Sequence, residues 1–480
     1  MYIARPYDPK LVIKSLLIMI MVIVAMKLTG GTGFAIVLPF VFGTLFTHKP
    51  EKLLFWMLLT VCMLAGNRNL MPKNFVFMVL QRGSMVLLGG CMIIRILGSP
   101  VSKALKPFLN VLPYLAYMIL PSIFGYSPLV SFLKMFLFLS VYISYLGVVN
   151  MVSSDPTNHI VGVRSIMLAV ACLFIFGSLA IVPFPGISQL FENEYVYGER
   201  TTSLFMGMSM HPQSFGPIIS SLSVILFADL LFSIKRFDKF YISLLAVCPY
   251  LIYLTSSRTG MGAYLLGMMY VMFWFARTHS PIGRKWRSRV TSTMFAIGFL
   301  LVAMAFCMPT VRNGIQSYVL KWNKGDSKIT AENVISSRQA LLNETIHNWQ
   351  KSPWIGNGFQ VAKHMRGRKR ETLSSLLTAP MEKGFFVTAI LEEGGVFGMP
   401  FFIVFFVSII WVSAKRGAYI ASACSFLLMV ANMGEFMMFS MSYTGGFLWA
   451  MVFAGLALDT QRMKAEFLER QAAFFQVGQR

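Results

Sequence analysis

Long apolar runs, broken by short polar stretches rich in Pro, Gly and basic residues, follow one another along the whole chain. A helix crossing about 30 Å of hydrocarbon needs roughly 20 apolar residues, so each run reads as a membrane-spanning helix. The runs begin near Leu11, Gly31, Lys52, Asn74, Phe108, Leu129, Ile166, Gln213, Phe240, Gly260, Thr293, Phe385, Ala418 and Tyr443. The pattern therefore predicts an all-α, polytopic integral membrane protein with about 14 (12 to 14) transmembrane helices.

Two polar segments interrupt the runs at greater length and set the expected organisation. N-terminal helices occupy 1–182, a short extracytoplasmic loop 183–212, central helices 213–310, a large extracytoplasmic loop 311–384, C-terminal helices 385–458 and a cytoplasmic tail 459–480. Orientation follows from the basic short connections: Arg5 with Lys10, the stretch from Arg95 to Lys106, Lys235 to Lys239, Arg277 to Arg289, and Lys415 with Arg416 fall on one side, which places both termini in the cytoplasm. Lys14 inside the first run, and the absence of a small-residue cleavage site after it, argue for a retained helix over a signal peptide. The large loop carries an amphipathic stretch with Ala340, Leu341, Ile346 and Trp349 as its apolar stripe, so it is expected to be partly helical and to end before Pro353. Met463, Phe467 and Phe474 mark a short surface-lying helix in the tail.

Composition sharpens this. The 480 residues are 56% hydrophobic and 13% charged, which excludes a soluble enzyme. A mean hydropathy of +0.65 agrees. The formal charge of +23 points, in so apolar a chain, to anionic lipid and a phosphate-bearing substrate, not to nucleic acid. Residues 311–383 hold twelve Lys or Arg against five Asp or Glu, a net of +7 on the side where short loops avoid positive charge. Attraction of an anion explains that excess; an ordinary solvated surface is the plain alternative. The six cysteines lie in or beside apolar runs without metal-ligand spacing, and neither a metal site nor a cofactor motif stands out.

Several polar residues sit where they need a reason. Arg258 lies between two apolar runs, where a guanidinium needs an interface, a wet cavity or an anion; its planar donor fork suits a phosphate, and interfacial snorkelling is the competing reading. Arg338 opens the amphipathic stretch of the large loop, a position the helix dipole disfavours, so it reads as serving a pyrophosphate or as a solvated side chain. His211, before Pro212 at a helix start, reads equally as a proton carrier or as a cap. Glu382 is a candidate base and Lys383 stands beside it at the next membrane entry. Glu392 and Glu393 lie inside an apolar run and demand partners, with ion pairs to Arg258 or Arg338 as one solution. Arg200, beside Glu199, is a further substrate contact or a brace, and Arg366, with Arg368, Lys369 and Arg370, is a general anion attractor. Asp229, Asn432 and Glu435 are weaker leads of the same sort.

From Gly198 to Gly398 the chain resembles the membrane glycan ligases and polymerases, which include O-antigen ligases and the Wzy-type polymerases of O-antigen and exopolysaccharide. The marks are R-x6-G-x3-HP from Arg200 through Gly207 to His211 and Pro212, SR-x-G at Ser257 to Gly260, SSR-x2-L with PWIGNGF between Ser336 and Phe359, and E-x-G-x2-G at Glu393, Gly395 and Gly398. This resemblance implies metal-independent, inverting glycosyl transfer from a polyprenyl-diphosphate-linked oligosaccharide to a glycan acceptor, at the outer face of a bacterial cytoplasmic membrane. Arg258 and Arg338, with Arg200 as a further candidate, would correspond to arginines that hold the diphosphate. The family's ligases place a histidine at the end of the large loop, whereas this chain has Glu382 to Gly384 there, which favours polymerisation of glycan repeat units over ligation to a lipid or protein acceptor. The implied partners are membrane lipids and a chain-length regulator or export proteins. A transporter or flippase of lipid-linked glycans is a third reading, against which the single large basic loop speaks.

Overall fold

The computed structural model describes residues 6–37, 49–72, 74–97, 101–154, 156–192, 202–234, 238–278, 288, 292–293, 331–361, 383, 385–434, 438–440 and 443–477. In chain order these form α1 (Pro9–Leu28), α2 (Pro50–Ala65), α3 (Phe75–Leu97), α4 (Val111–Phe124), α5 (Pro128–Ser154), α6 (Pro156–Ile181), β1 (Gln189–Glu192), β2 (Thr202–Phe205), α7 (Pro212–Asp229), α8 (Lys239–Leu254), α9 (Arg258–Arg277), α10 (Ala331–Lys351), α11 (Phe386–Val407), α12 (Tyr419–Ala431) and α13 (Tyr443–Val477). Proline opens α1, α2, α5, α6 and α7, where its missing N–H is one the helix could not have bonded. Asp8, Asp238 and Ser257 cap α1, α8 and α9 through their side chains.

The expected count of 12 to 14 spanning helices is corrected: among the described residues eight helical segments are long and apolar enough to cross a membrane. They are Pro9–Leu28, Phe75–Ile93, Lys106–Phe124, Pro128–Ser153, His159–Ile181, Pro212–Ile234, Arg258–Arg277 and Phe386–Lys415. The reason is length. The runs near Lys52, Phe240 and Ala418 fold into helices of 16, 16 and 13 residues, short of the roughly 20 a crossing needs. Gly31 leads into a 3₁₀ turn, Thr32–Val37, and the rest of that run, like most of the run near Thr293, lies outside the described residues. The tail, expected as a separate surface helix, instead continues α13 as one helix of 35 residues, because no Gly or Pro follows Asp459 before Val477. The architecture is otherwise helical and polytopic; β1 and β2 pair antiparallel as a four-residue ribbon from Gln189↔Phe205 to Glu192↔Thr202.

The core gathers around α7, whose residues Ser214 to Asp229 are all buried. A helix apolar on every side must be enclosed, and α9, α8, α12 and α13 surround it. Ser220, Ser221 and Ser223 return their hydroxyls to carbonyls three or four residues back, so these three hydroxyls are not stranded inside. At the periphery, Ile13, Leu17, Met21 and Val24 of α1 and Phe397, Phe401, Ile403 and Val404 of α11 are exposed, the surface that lipid tails cover in a membrane protein.

At one end of the bundle, Arg164 of α6 meets Asp229 at the foot of α7 through both carboxylate oxygens, 2.7 and 3.0 Å away. The Tyr241 hydroxyl donates to the same carboxylate at 2.7 Å, and Arg164 Nη1 donates to the Pro6 carbonyl at 2.8 Å. Asp229, a weak functional lead in the sequence, is thus a structural anchor. The candidate site residues described below all belong to the opposite end.

Candidate functional site

Three helices start side by side at that opposite end. The segment leading into α7 is pinned from outside: Asn67 donates to the carbonyls of Ile187 and Gly207 at 2.8 and 2.6 Å, Met208 N–H reaches Ser178 Oγ at 2.9 Å, and Met210 N–H reaches the Ala65 carbonyl at 3.0 Å. His211 is thereby delivered to the N-cap of α7, where its Nδ1 accepts from Gln213 N–H at 3.2 Å. An Nδ1 that accepts carries no proton, so the neutral ring bears its hydrogen on Nε2 and is arranged as a donor.

α9 starts beside α7. Ser256 takes a left-handed backbone (φ 51°), Ser257 caps the helix by accepting from Gly260 N–H at 3.1 Å, and Arg258 is its first residue, partly exposed. The two helices approach at glycines: a Cβ on Gly260 would lie 2.6 Å from Gly216 Cα. Ser220 Oγ stands 2.7 Å from the Gly260 carbonyl and closes the junction. Thr259 meets the turn after α12 with equal closeness, since a Cβ on Gly434 would overlap its hydroxyl.

Between these starts lies a small cavity of about 10 Å³, room for about one water, lined by Gln213, Pro217, Thr259, Ala431, Asn432, Thr444 and Leu448. Gln213, Thr259 and Thr444 are the second residues of α7, α9 and α13. The starts of three helices therefore meet at this cavity, each with the positive end of its dipole. Asn432, a weak lead in the sequence, ends α12 there and turns its amide back onto the Leu428 carbonyl at 2.6 Å. The Thr444 hydroxyl is buried without a hydrogen-bond partner among the described residues.

A second constellation holds the large loop. α11 breaks at Gly395 (φ 63°, ψ −170°), and the carbonyls of Glu392 and Glu393 accept instead from Asn357 and Gly358 N–H of the PWIGNGF turn, at 2.8 and 3.0 Å. A Cβ on Gly395 would lie 2.3 Å from the Trp354 carbonyl, and one on Gly356 2.3 Å from that of Glu393, so turn and kink interlock only as glycine. Inside the interlock, Lys383 Nζ lies 2.9 Å from Glu393 Oε1, 3.3 Å from Glu392 Oε2 and 2.9 Å from the Val361 carbonyl. Asn348 of α10 donates to Glu392 at 3.1 Å, Thr345 to the Lys383 carbonyl at 3.1 Å, and Lys134 of α5 to the Gln360 carbonyl at 2.7 Å. Lys383, Glu392 and Glu393 are only 2%, 1% and 0% exposed. Both glutamates thus share the neighbouring Lys383, where an ion pair to Arg258 or Arg338 is one solution that the sequence offers.

The structure brings His211 and Arg258 to the ends of adjoining helices, and Lys383, Glu392 and Glu393 into one sealed cluster. Arg338 falls in α10, with its side chain outside the described residues. Arg200, Arg366 and Glu382 also lie outside them. Two residues escaped the sequence reading. Thr444 carried no signal, since a hydroxyl near a run boundary is unremarked. Arg82 did carry one: it stands inside the apolar run of α3, the same feature that singled out Arg258. Among the described residues no three His, Cys, Asp or Glu side chains are grouped as metal ligands would be.

A family model described as O-antigen ligase (Wzy_C) matches residues 240–403, so the family that the motifs resemble is identified over that stretch. The match runs from α8 through Arg258, Arg338 and the interlock into α11; His211 and Arg82 precede it. None of the curated proteins compared matches the chain.

Proposed function

We propose that the protein transfers a glycan from a polyprenyl diphosphate donor to an acceptor hydroxyl, as O-antigen-ligase-type enzymes do, at the outer face of the cytoplasmic membrane and without a metal. The observation that carries this reading is the meeting of three helix N-termini with Arg258 at the first position of one of them. Helix N-termini bind phosphate through their N–H groups and dipoles, and an arginine at the first position of one of them adds a planar, permanently charged donor fork suited to the same anion. The family match around Arg258 supports the same reading.

The chemistry needs few parts. The acceptor oxygen attacks the anomeric carbon, the bond from that carbon to the diphosphate oxygen breaks, and charge gathers on the departing phosphate. Arg258 and the helix starts stabilise that charge, with Arg338 and Arg200 joining from the loops 311–384 and 183–212. A diphosphate is already a good leaving group and needs no general acid. Glu382 takes the acceptor's proton, and His211 donates a hydrogen bond to the phosphate from Nε2. Lys383, Glu392 and Glu393 act as positioning residues that hold the loop over the site, and the cluster around Arg366 draws anionic head groups toward it.

Ligation to a lipid or protein acceptor is the reading that the family description favours. Polymerisation of repeat units is the second, favoured by Glu382 to Gly384 standing where ligases of the family carry a histidine. Purified full-length protein, given a polyprenyl-diphosphate-linked repeat unit with and without a lipid acceptor and with a chelator present, separates them. A single capped product indicates ligation, a ladder indicates polymerisation, and no transfer under any condition overturns both.

A further inference from the structure

Five Lys or Arg residues are buried among the described residues: Arg82, Lys134, Arg164, Lys383 and Arg462. Four of them have acceptors. Arg164 grips Asp229, Lys383 sits between two glutamates, Lys134 donates to the Gln360 carbonyl, and Arg462 to that of Gly417. Arg82 differs. It stands two turns into α3 and is 8% exposed, yet neither Nε nor Nη1 has a hydrogen-bond partner among the described residues. Arginine does not shed its proton in a protein, so this is a fixed positive charge inside an apolar segment, an arrangement that folding alone selects against.

What faces Arg82 is the start of α13. Tyr443, which opens that helix with a left-handed backbone (φ 54°), reaches α3 with its hydroxyl 4.0 Å from Met78 Sδ, one turn before Arg82 and within electrostatic range of the guanidinium. A tyrosine at positive φ is strained, and such strain is kept where a side chain must be held in place. The next residue, Thr444, lines the cavity with Gln213 and Thr259, and its buried hydroxyl also lacks a partner. Tyr443 and Thr444 thus join Arg82 on α3 to the converging helix starts and, through Thr259, to Arg258.

We infer that Arg82 is a second fixed cation for the phosphates of the lipid-linked donor, binding them from the α3 side of the α13 start while Arg258 binds from the α9 side. This rests on the diphosphate reading above and extends the site to a helix that precedes the matched family segment. The ligand chemistry is a phosphate or diphosphate held by a forked donor beside a tyrosine and a threonine hydroxyl. The other four buried cations each have a carboxylate or carbonyl, and among the described residues Arg82 shows neither.

The test is thermal unfolding of the full-length protein in detergent, wild type against Arg82→Met and Arg82→Lys, with polyprenyl diphosphate, polyprenol or inorganic diphosphate added. Without ligand, Arg82→Met is expected to unfold at the wild-type temperature or above it, because it removes a buried charge that has no carboxylate or carbonyl to strand among the described residues. Polyprenyl diphosphate should stabilise wild type, with its apparent Kd weakened about tenfold or more in Arg82→Met and less in Arg82→Lys. Polyprenol should not distinguish the three. A destabilised Arg82→Met without ligand would make the residue structural and overturn the inference, as would equal stabilisation of wild type and Arg82→Met by polyprenyl diphosphate. An Arg82-dependent shift with inorganic diphosphate but not with the lipid would overturn the lipid assignment in favour of a free phosphate. Arg82-dependent lipid binding in a protein that transfers no glycan would remove the transferase reading and leave this site standing; equal binding in a protein that does transfer would do the reverse.

Discussion

Gly260 of α9 lies against Gly216 of α7 so closely that a Cβ added to Gly260 would sit 2.6 Å from Gly216 Cα, far inside contact distance. This contact sets the spacing of the two helix starts that carry His211, Gln213, Arg258 and Thr259. Gly260→Ala should force the helices apart, lowering stability by about 1–3 kcal/mol and glycan transfer by much more. Thermal unfolding and a transfer assay on the same preparation check it; unchanged values for both would show that the spacing has no functional weight.

Arg258 offers the direct test of the phosphate reading. Arg258→Ala should insert and fold normally, since the residue is partly exposed at a helix start, yet lose transfer by about a hundredfold or more. Arg258→Lys, which keeps the charge and loses the fork, should fall between. Transfer rates on membranes with matched protein levels decide the matter, and near-normal activity of the alanine variant would refute a diphosphate contact.

Lys383 is expected to act on stability first. Lys383→Met leaves Glu392 and Glu393 buried without their shared cation, a loss of about 3–5 kcal/mol. Adding Glu393→Gln should recover part of it, because one of the two stranded charges is gone. Unfolding temperatures of the single and double variants give the answer; additive losses would mean that the ion pairs are not what holds the loop to α11.

His211 and Glu382 can be separated by chemistry. His211→Asn retains an N-cap acceptor and should keep both stability and the shape of the pH–rate profile, whereas His211→Ala loses about 1 kcal/mol of capping. Glu382→Gln should lower kcat and abolish the rise of rate with pH on the acid side, where a carboxylate base must lose its proton. If the asparagine variant loses that limb and the glutamine variant keeps it, the base is His211.

How much of this was legible in the residues varies with the physics involved. The membrane class, the apolar runs beginning near Leu11 and Leu129, the helix start at Pro212, and the oddity of Arg258 between two apolar runs all follow from local composition and spacing, and they recur in the structure, with the first two helices opening at Pro9 and Pro128. The count of spans did not follow. An apolar run near Lys52, Phe240 or Ala418 looks the same whether it crosses a bilayer or ends after 16, 16 or 13 helical residues, at Gly66, Thr255 and Asn432.

Partners of charges belong to the tertiary structure for the same reason. Hydropathy shows that Glu392 and Glu393 need a cation, but Lys383 becomes that cation only because Gly395 breaks α11 and lets the PWIGNGF turn close over it. The meeting of Gln213, Thr259 and Thr444, 46 and 185 residues apart in the chain, likewise depends on helix packing that no local pattern encodes. Sequence alone therefore determined the solvent in which this chain folds and the charges that must be accounted for there. Packing decided which of those charges neutralise one another and which, such as Arg82, are buried without a hydrogen-bond partner for Nε and Nη1 among the described residues, since electrostatic partnership depends on distance in space and not along the chain.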